Sequence, residues 1–260
     1  MFLNLATYRF VDLTDLPALA AKFEAWGEAF KLKGTVLLAE EGINAFLCCE
    51  PEEFGLLKME LEQNEAFQAL DWKQSVSDTQ SFKRWKVKIK PEIITFKKSG
   101  IKPAARRADS VAPVTLKRWL DQGHDDAGRP VRLLDTRNDF EIAQGTFSNA
   151  IDPNIQKFSD LPDWIAKQPE ALKQERLVSF CTGGIRCEKS ALYMAGLGYE
   201  NVSQLEGGIL RYFEQVGRDH WNGSLFVFDD RRGVDADLQP VTLENGAPPM
   251  LTVHAKSADS

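Results

Sequence analysis

The chain has 260 residues and a formal net charge of −6, with 43% hydrophobic and 27% charged residues. That length buries a full core and suits two modest domains. No apolar run approaches the ~20 residues that cross a bilayer, and the opening MFLNLATYRFVD lacks a basic start and a small-residue cleavage site, so a cytoplasmic protein without a membrane partner is expected.

Residues 2–11 have strand composition. Asp12 or Thr14 can cap a helix that runs through Lys33, with Pro17 tolerated in its first turn and Gly34 as the stop. Residues 35–39 and 43–48 read as two strands around the turn Glu40-Glu41-Gly42, and Pro51 opens a second helix to about Leu70. Closed by a strand near residue 85, the order strand, helix, strand, strand, helix, strand is that of a ferredoxin-like sandwich. Cys48 and Cys49, placed in a strand, read as small buried hydrophobes.

The closing strand alternates Trp85, Val87 and Ile89 with Arg84, Lys86, Lys88 and Lys90, so one face is apolar and the other cationic. Between Lys83 and Arg107, ten Lys or Arg residues stand against one acid, Glu92, in a chain that is acidic overall. A lysine-rich edge strand that discourages aggregation is the plain reading of such a pattern. Continuation of the charge through Lys97, Lys98, Lys102, Arg106 and Arg107 favours phosphate-backbone binding instead. The candidate RNA contacts are therefore Arg84, Lys86, Lys88, Lys90, Lys97, Lys98, Arg106 and Arg107. Trp85 either stacks on an unpaired base or fills the core, the latter being the simpler expectation.

Residues 1–100 thus form a first domain and 101–112, with prolines, alanines and charges but no periodicity, a linker. A second domain over 113–220 alternates helices at about 114–122 and 159–167 with strands at 131–136, 177–180 and 202–205, the pattern of a parallel sheet flanked by helices. Asp135, Arg137 and Glu141 read as a buried ion-pair network that fixes loops. Residues 221–260 are a C-terminal extension, with Gly246 onward expected to be disordered.

The strand at 177–180 empties into Cys181-Thr-Gly-Gly-Ile-Arg-Cys-Glu-Lys189 and a helix. Ligands in such folds collect at the C-terminal ends of the strands. Amides around Gly183 and Gly184 and the positive end of the helix favour an anion there, either the Cys181 thiolate or a bound oxyanion. Arg186 either supports the loop through its carbonyls or contacts a substrate phosphate, with loop support favoured. Cys187 resolves an oxidised Cys181 or points into the core, and Lys189 is either a helix-surface charge or part of the anion site, the former being favoured. The four cysteines fit neither a disulfide framework nor a zinc knuckle, and His124, His220 and His254 stand singly, so no structural metal is expected.

The string Cys181 to Lys189, preceded by Asp135-x-Arg137, Glu141 and Gly145-Thr-Phe147 and followed by Glu206-Gly-Gly, resembles a rhodanese domain. Gly-Thr-Phe stands where ordinary rhodaneses carry Gly-His-Ile, and with Gly34-Thr-Val-Leu-Leu-Ala-Glu-Glu-Gly-Ile-Asn44 and Lys86-Val-Lys-Ile-Lys-Pro-Glu-Ile it is similar to the rhodanese-related tRNA uridine hydroxylases. Related proteins often carry a further cysteine-rich C-terminal region, which has no counterpart here. The resemblance, over roughly residues 1–235, implies oxygen-dependent conversion of the wobble uridine, position 34, to 5-hydroxyuridine. Cys181 would be catalytic in an active-site loop of Thr182, Gly183, Gly184, Ile185 and Arg186, with Cys187 as an auxiliary thiol. The implied partner is the anticodon region of tRNA; molecular oxygen is the co-substrate, and no cofactor is expected. Two alternatives stay open: a thiosulfate or persulfide sulfurtransferase, and a non-catalytic RNA-binding or redox-sensing module.

Overall fold

Apolar alternation along the first fifty residues produces a sheet with one face buried under helices. A computed structural model of the chain describes residues 1–227, 229 and 233–235. Strands β1 (Phe2–Phe10), β2 (Lys33–Ala39), β3 (Gly42–Cys49), β4 (Lys73–Ser77) and β5 (Trp85–Ile89) lie in the order β4-β1-β3-β2-β5. Helices α1 (Leu16–Ala29) and α2 (Pro51–Glu62) pack Phe23, Leu57 and Leu61 against Leu5, Val36, Leu38 and Leu47.

The ferredoxin-like order is present, but its last strand is β4, which pairs antiparallel with β1. The cationic strand is a fifth, β5, added parallel to β2 on the opposite edge. Lys73-Gln-Ser-Val-Ser has too little apolar content to announce β4 in the sequence. Two helix ends also differ from expectation. Asp15, not Asp12 or Thr14, caps α1 by accepting from the Ala18 amide, and α1 stops at Ala29 because the chain turns at Lys31, whose φ is +48°, and enters β2 at Lys33. Helix α2 ends at Glu62, where Asn64 turns the chain by accepting from the Ala66 amide.

The second unit is a four-stranded parallel sheet of β6 (Ser110–Val111), β7 (Val131–Asp135), β9 (Arg176–Phe180) and β10 (Val202–Leu205), in the order β6-β10-β9-β7. Its helices are α3 (Pro113–Gln122), α4 (Asp139–Ile142), α5 (Leu161–Ile165), α6 (Ile185–Gly196) and α7 (Gly208–Val216). β6 lies inside the expected linker, so the sheet begins before residue 113. Short β8 (Gly145–Phe147) pairs with β11 (Trp221–Gly223), which carries the unit past residue 220, and β12 (Leu225–Phe226) pairs with β13 (Gly233–Val234). The region expected to be disordered, from Gly246, lies outside the described residues. Among the described residues no helix is long and apolar enough to cross a membrane.

The two sheets are locked together by the segment between them. Ile93 and Phe96 are fully buried; Ile93 clusters with Ala39 of the first domain and Ile185 of α6, and Phe96 packs on Phe158 and Tyr193. Burying one such side chain is worth roughly 1.5–3 kcal/mol. Polar contacts cross the same boundary: Arg211 Nη2 donates to Asp71 Oδ2 at 2.6 Å, and Tyr8 Oη to Glu188 Oε1 at 3.4 Å. Lys189, expected on the surface, is buried there. Its ammonium donates to Glu41 Oε1 at 2.8 Å, Glu92 Oε2 at 2.7 Å and the Ile94 carbonyl at 3.1 Å.

Candidate active site

β9 delivers Cys181 to the C-terminal edge of the parallel sheet, and α6 begins four residues later. Gly184 makes the turn with φ +99°, and its amide donates to Cys181 Sγ at 3.2 Å. A side chain there would be strained by that φ and would also press on the Tyr8 hydroxyl, 2.9 Å from the Cβ position. The loop carbonyls point the other way: those of Cys181 and Thr182 accept from the Ile209 and Leu210 amides at 3.0 and 3.1 Å. These are donors that the first turn of a helix leaves free. α7 comes this close because Gly208 has no Cβ, which would sit 2.4 Å from the Cys181 carbonyl.

Cys181 is fully buried, and burial alone would oppose its ionisation. A hydrogen bond from the Cys187 thiol, the positive charge of Arg186 and the amides of Arg186 and Gly184 outweigh that and lower it to about 6. Cys187 goes the opposite way, driven well up by burial and by the negative charge it faces. The pair is therefore a thiolate at 181 with a thiol donor at 187. Arg186 supports the loop through an ion pair. Its Nη1 and Nη2 donate to the two oxygens of buried Glu141, each at 2.7 Å, tying α6 to α4.

Beside this pair, Arg137 grips Asp135 at 2.9 and 2.6 Å and donates to the Gly145 carbonyl. The Gly145-Thr-Phe147 turn has a structural reason here. Thr146 Oγ1 donates to Asp135 Oδ2 at 2.7 Å, and the Phe147 ring meets Phe180, Tyr212 and Trp221 edge-on at 5.0, 4.8 and 5.1 Å. Asp135, Arg137 and Glu141 are thus buried and ion-paired, Asp135 with Arg137 and Glu141 with Arg186.

Between the two domains lies a cleft of about 470 Å³. Cys181, Thr182, Gly183, Ile185 and Arg186 form one wall, and Tyr8, Asn44, Phe46 and Lys73 of the first sheet form the facing one. Thr95, Lys97, Asn138 and Lys157 also line it. Lys73 is 6% exposed, and its ammonium lies 5.5 Å from the Tyr8 ring centre and 3.3 Å from Asp71 Oδ2. Among the described residues Thr182 Oγ1 is buried without a partner. Of the residues on the facing wall only Asn44 belongs to a string singled out in the sequence; Tyr8, Phe46 and Lys73 are ordinary strand positions until the fold sets them opposite the thiol.

The predicted RNA contacts divide. Lys97 lines the cleft. Lys98 pairs loosely with Asp163 at 3.9 Å, Arg107 with Glu188 at 3.4 Å, and Arg106 is exposed. Lys86 and Lys88 lie at the far edge of the first sheet, yet on the face that lines the cleft. One cross-strand row runs Lys73, Ala6, Phe46, Thr35, Lys86, and the next runs Tyr8, Asn44, Leu37, Lys88. At ~4.8 Å per strand, Lys86 is roughly 14 Å from Ala6. Arg84 is exposed at the start of that strand, and Lys90 at its end. Trp85 is no stacking platform: it faces the helices, donates from Nε1 to the Phe23 carbonyl at 3.1 Å and fills the space over Gly27. Among the described residues no three His, Cys, Asp or Glu side chains gather to hold a metal ion.

Residues 2–93 match the family described as the UPF0176 acylphosphatase-like domain, and residues 112–215 the rhodanese-like domain. A protein named tRNA uridine(34) hydroxylase from Cupriavidus pinatubonensis is 51% identical over 91% of this chain and 84% of its own length. Its namesake from Cupriavidus taiwanensis is 52% identical over the same shares. That from Thiobacillus denitrificans is 49% identical over 92% of this chain and 96% of its own.

Proposed function

Because this chain belongs to the tRNA uridine(34) hydroxylase family, we propose that it converts the wobble uridine of tRNA to 5-hydroxyuridine, using dioxygen as co-substrate and Cys181 as the nucleophile. The observation that supports this most is the juxtaposition of a thiolate held by inward amides with a second domain whose cationic sheet face leads into the same cleft. A small sulfur donor needs no such face. A polyanion with one unstacked base to insert does.

The uracil ring enters the cleft and reaches Cys181 at its floor. Thiolate addition at carbon 6 places carbanion character on carbon 5, the position that gains oxygen. Lys73, Asn44 and Thr182 supply polar atoms around the ring, and Lys86, Lys88 and Arg84 take phosphates of the anticodon strand. Gly184 and Arg186 hold the thiolate between turnovers, the first through its amide and the second through its charge. Purified protein incubated with unmodified tRNA under ¹⁸O₂ should give 5-hydroxyuridine carrying one heavy oxygen, located by digestion and mass spectrometry to position 34. Cys181→Ser should abolish it. A normal rate from Cys181→Ser would rule out covalent catalysis.

The rhodanese-like loop favours one other reading, sulfur transfer, since amides that hold a thiolate also hold a persulfide. The same nucleoside digest separates the two, because that activity would add a thiolated base and no heavy oxygen.

A further inference from the structure

Placing one atom of dioxygen on carbon 5 leaves the other to be reduced to water, which takes two electrons and two protons. Cys181 and the thiol near it together can provide them. Cys187 sits behind the loop, fully buried in the first turn of α6. Its amide donates to the Gly184 carbonyl at 3.0 Å, while the Gly184 amide donates to Cys181 Sγ, so both cysteines are fixed by the same residue. A cysteine that merely fills a core has apolar neighbours. Cys187 has a polar one that ties it to the active-site strand: Thr136 Oγ1 lies 3.6 Å from its sulfur and donates at 2.9 Å to the carbonyl of Phe180, the residue before Cys181. Cys48 and Cys49 lie in β3, on another domain.

We propose that Cys181 and Cys187 are the reductant of the hydroxylation, closing one disulfide for each uridine oxidised. The proposal rests on the hydroxylase reading and names its electron source. Cys181 thiolate adds to carbon 6, and carbon 5 takes up dioxygen and a proton as a hydroperoxide. Loss of the carbon 5 proton expels Cys181 and restores the carbon 5–carbon 6 double bond. The freed thiolate attacks the outer peroxide oxygen; the O–O bond breaks, the inner oxygen stays on carbon 5 as the hydroxyl, and Cys181 becomes a sulfenic acid. The Cys187 thiol attacks that sulfur and expels water, forming the disulfide. In sum, uridine, dioxygen and two thiols become 5-hydroxyuridine, water and a disulfide. An external thiol then resets the enzyme by exchange.

The test uses the whole chain, reduced, freed of reductant and mixed with unmodified tRNA in air-saturated buffer. Product should stop at one equivalent per protein, and acid quenching with differential alkylation should find Cys181 and Cys187 joined and Cys48 and Cys49 free. Adding a phosphine should restart turnover. Without oxygen, both thiols should stay free. In Cys187→Ser, product should again stop at one equivalent, now with a Cys181 sulfenic acid that dimedone traps. Product rising past one equivalent while Cys181 and Cys187 remain alkylatable would overturn the proposal and leave the hydroxylase reading standing. Absence of product both with and without phosphine would remove the hydroxylase reading itself. The accounting on the unaltered protein needs no variant to fold.

Discussion

Lys189→Met isolates the brace between the domains, since it keeps most of the side-chain length and deletes the charge. The side chain is 3% exposed, and its ammonium has three acceptors, at 2.8, 2.7 and 3.1 Å. Without it, the carboxylates of Glu41 and Glu92 converge on an apolar methyl group. Removing one member of a buried pair costs roughly 3–5 kcal/mol. Here both glutamates keep 23% side-chain exposure, and the Ile93 amide still donates to Glu41, and those of Phe96 and Lys97 to Glu92. Water therefore relieves part of the charge, and the expected loss is about 2–3 kcal/mol. At ~2–4 °C per kcal/mol for a chain of this length, the melting temperature should fall by roughly 4–12 °C at pH 7, read by calorimetry.

The pH dependence of that deficit has a definite sign. Burial raises the Glu92 carboxyl, but the Lys189 hydrogen bond and the Phe96 and Lys97 amides outweigh it, so the group lies below its ordinary range. A carboxyl with a lowered folded pKa stabilises the protein above its unfolded value, ~4.3 for glutamate, and that contribution disappears as pH falls through the folded value. The gap between wild type and Lys189→Met should therefore narrow below about pH 4. A variant that melts with the wild type at pH 7, or a gap that widens in acid, would refute the brace.

Other expectations concern the site. Alkylation of Cys181 by iodoacetamide, and hydroxylation with it, should decline as pH drops through about 6, because the lowered group is a thiolate above that value and a thiol below it. Arg186→Ala strands Glu141 in the core and should cost roughly 3–5 kcal/mol by urea denaturation; where the variant is folded, the acid limb of Cys181 alkylation should move to higher pH. Replacing Arg84, Lys86 and Lys88 with glutamate should weaken tRNA binding and flatten the plot of log affinity against log salt by roughly one unit for each phosphate that is no longer neutralised. An unchanged slope would remove the sheet face from the interface. Gly208→Ala should slow Cys181 alkylation and loosen the loop, since its Cβ would sit 2.4 Å from the Cys181 carbonyl; wild-type reactivity would show that α7 does not hold the loop.

Residues that act through their sequence neighbours can be read without coordinates. Trp85, Val87 and Ile89 alternate with lysines, and a two-residue period can place them only on opposite faces of a strand. Lys189 is different, because the acids that bury it are 148 and 97 positions away; in sequence it is one more lysine on a helix. β4 is hidden for a related reason. Its edge place is set by pairing with β1, and nothing in Lys73-Gln-Ser-Val-Ser requires a strand.

Cys181 shows the division most plainly. A strand, a cysteine, two glycines and a helix start within ten residues, and their spacing alone determines a thiol at a mouth of inward amides. Tertiary structure alone decided what that mouth faces. Tyr8 and Lys73 come from strands more than a hundred residues earlier, brought there by the burial of Ile93 and Phe96 and the pairing of Lys189. Local spacing specifies reactivity because it acts through bonded geometry; the substrate side of the cleft depends on packing between distant segments, which no local pattern encodes.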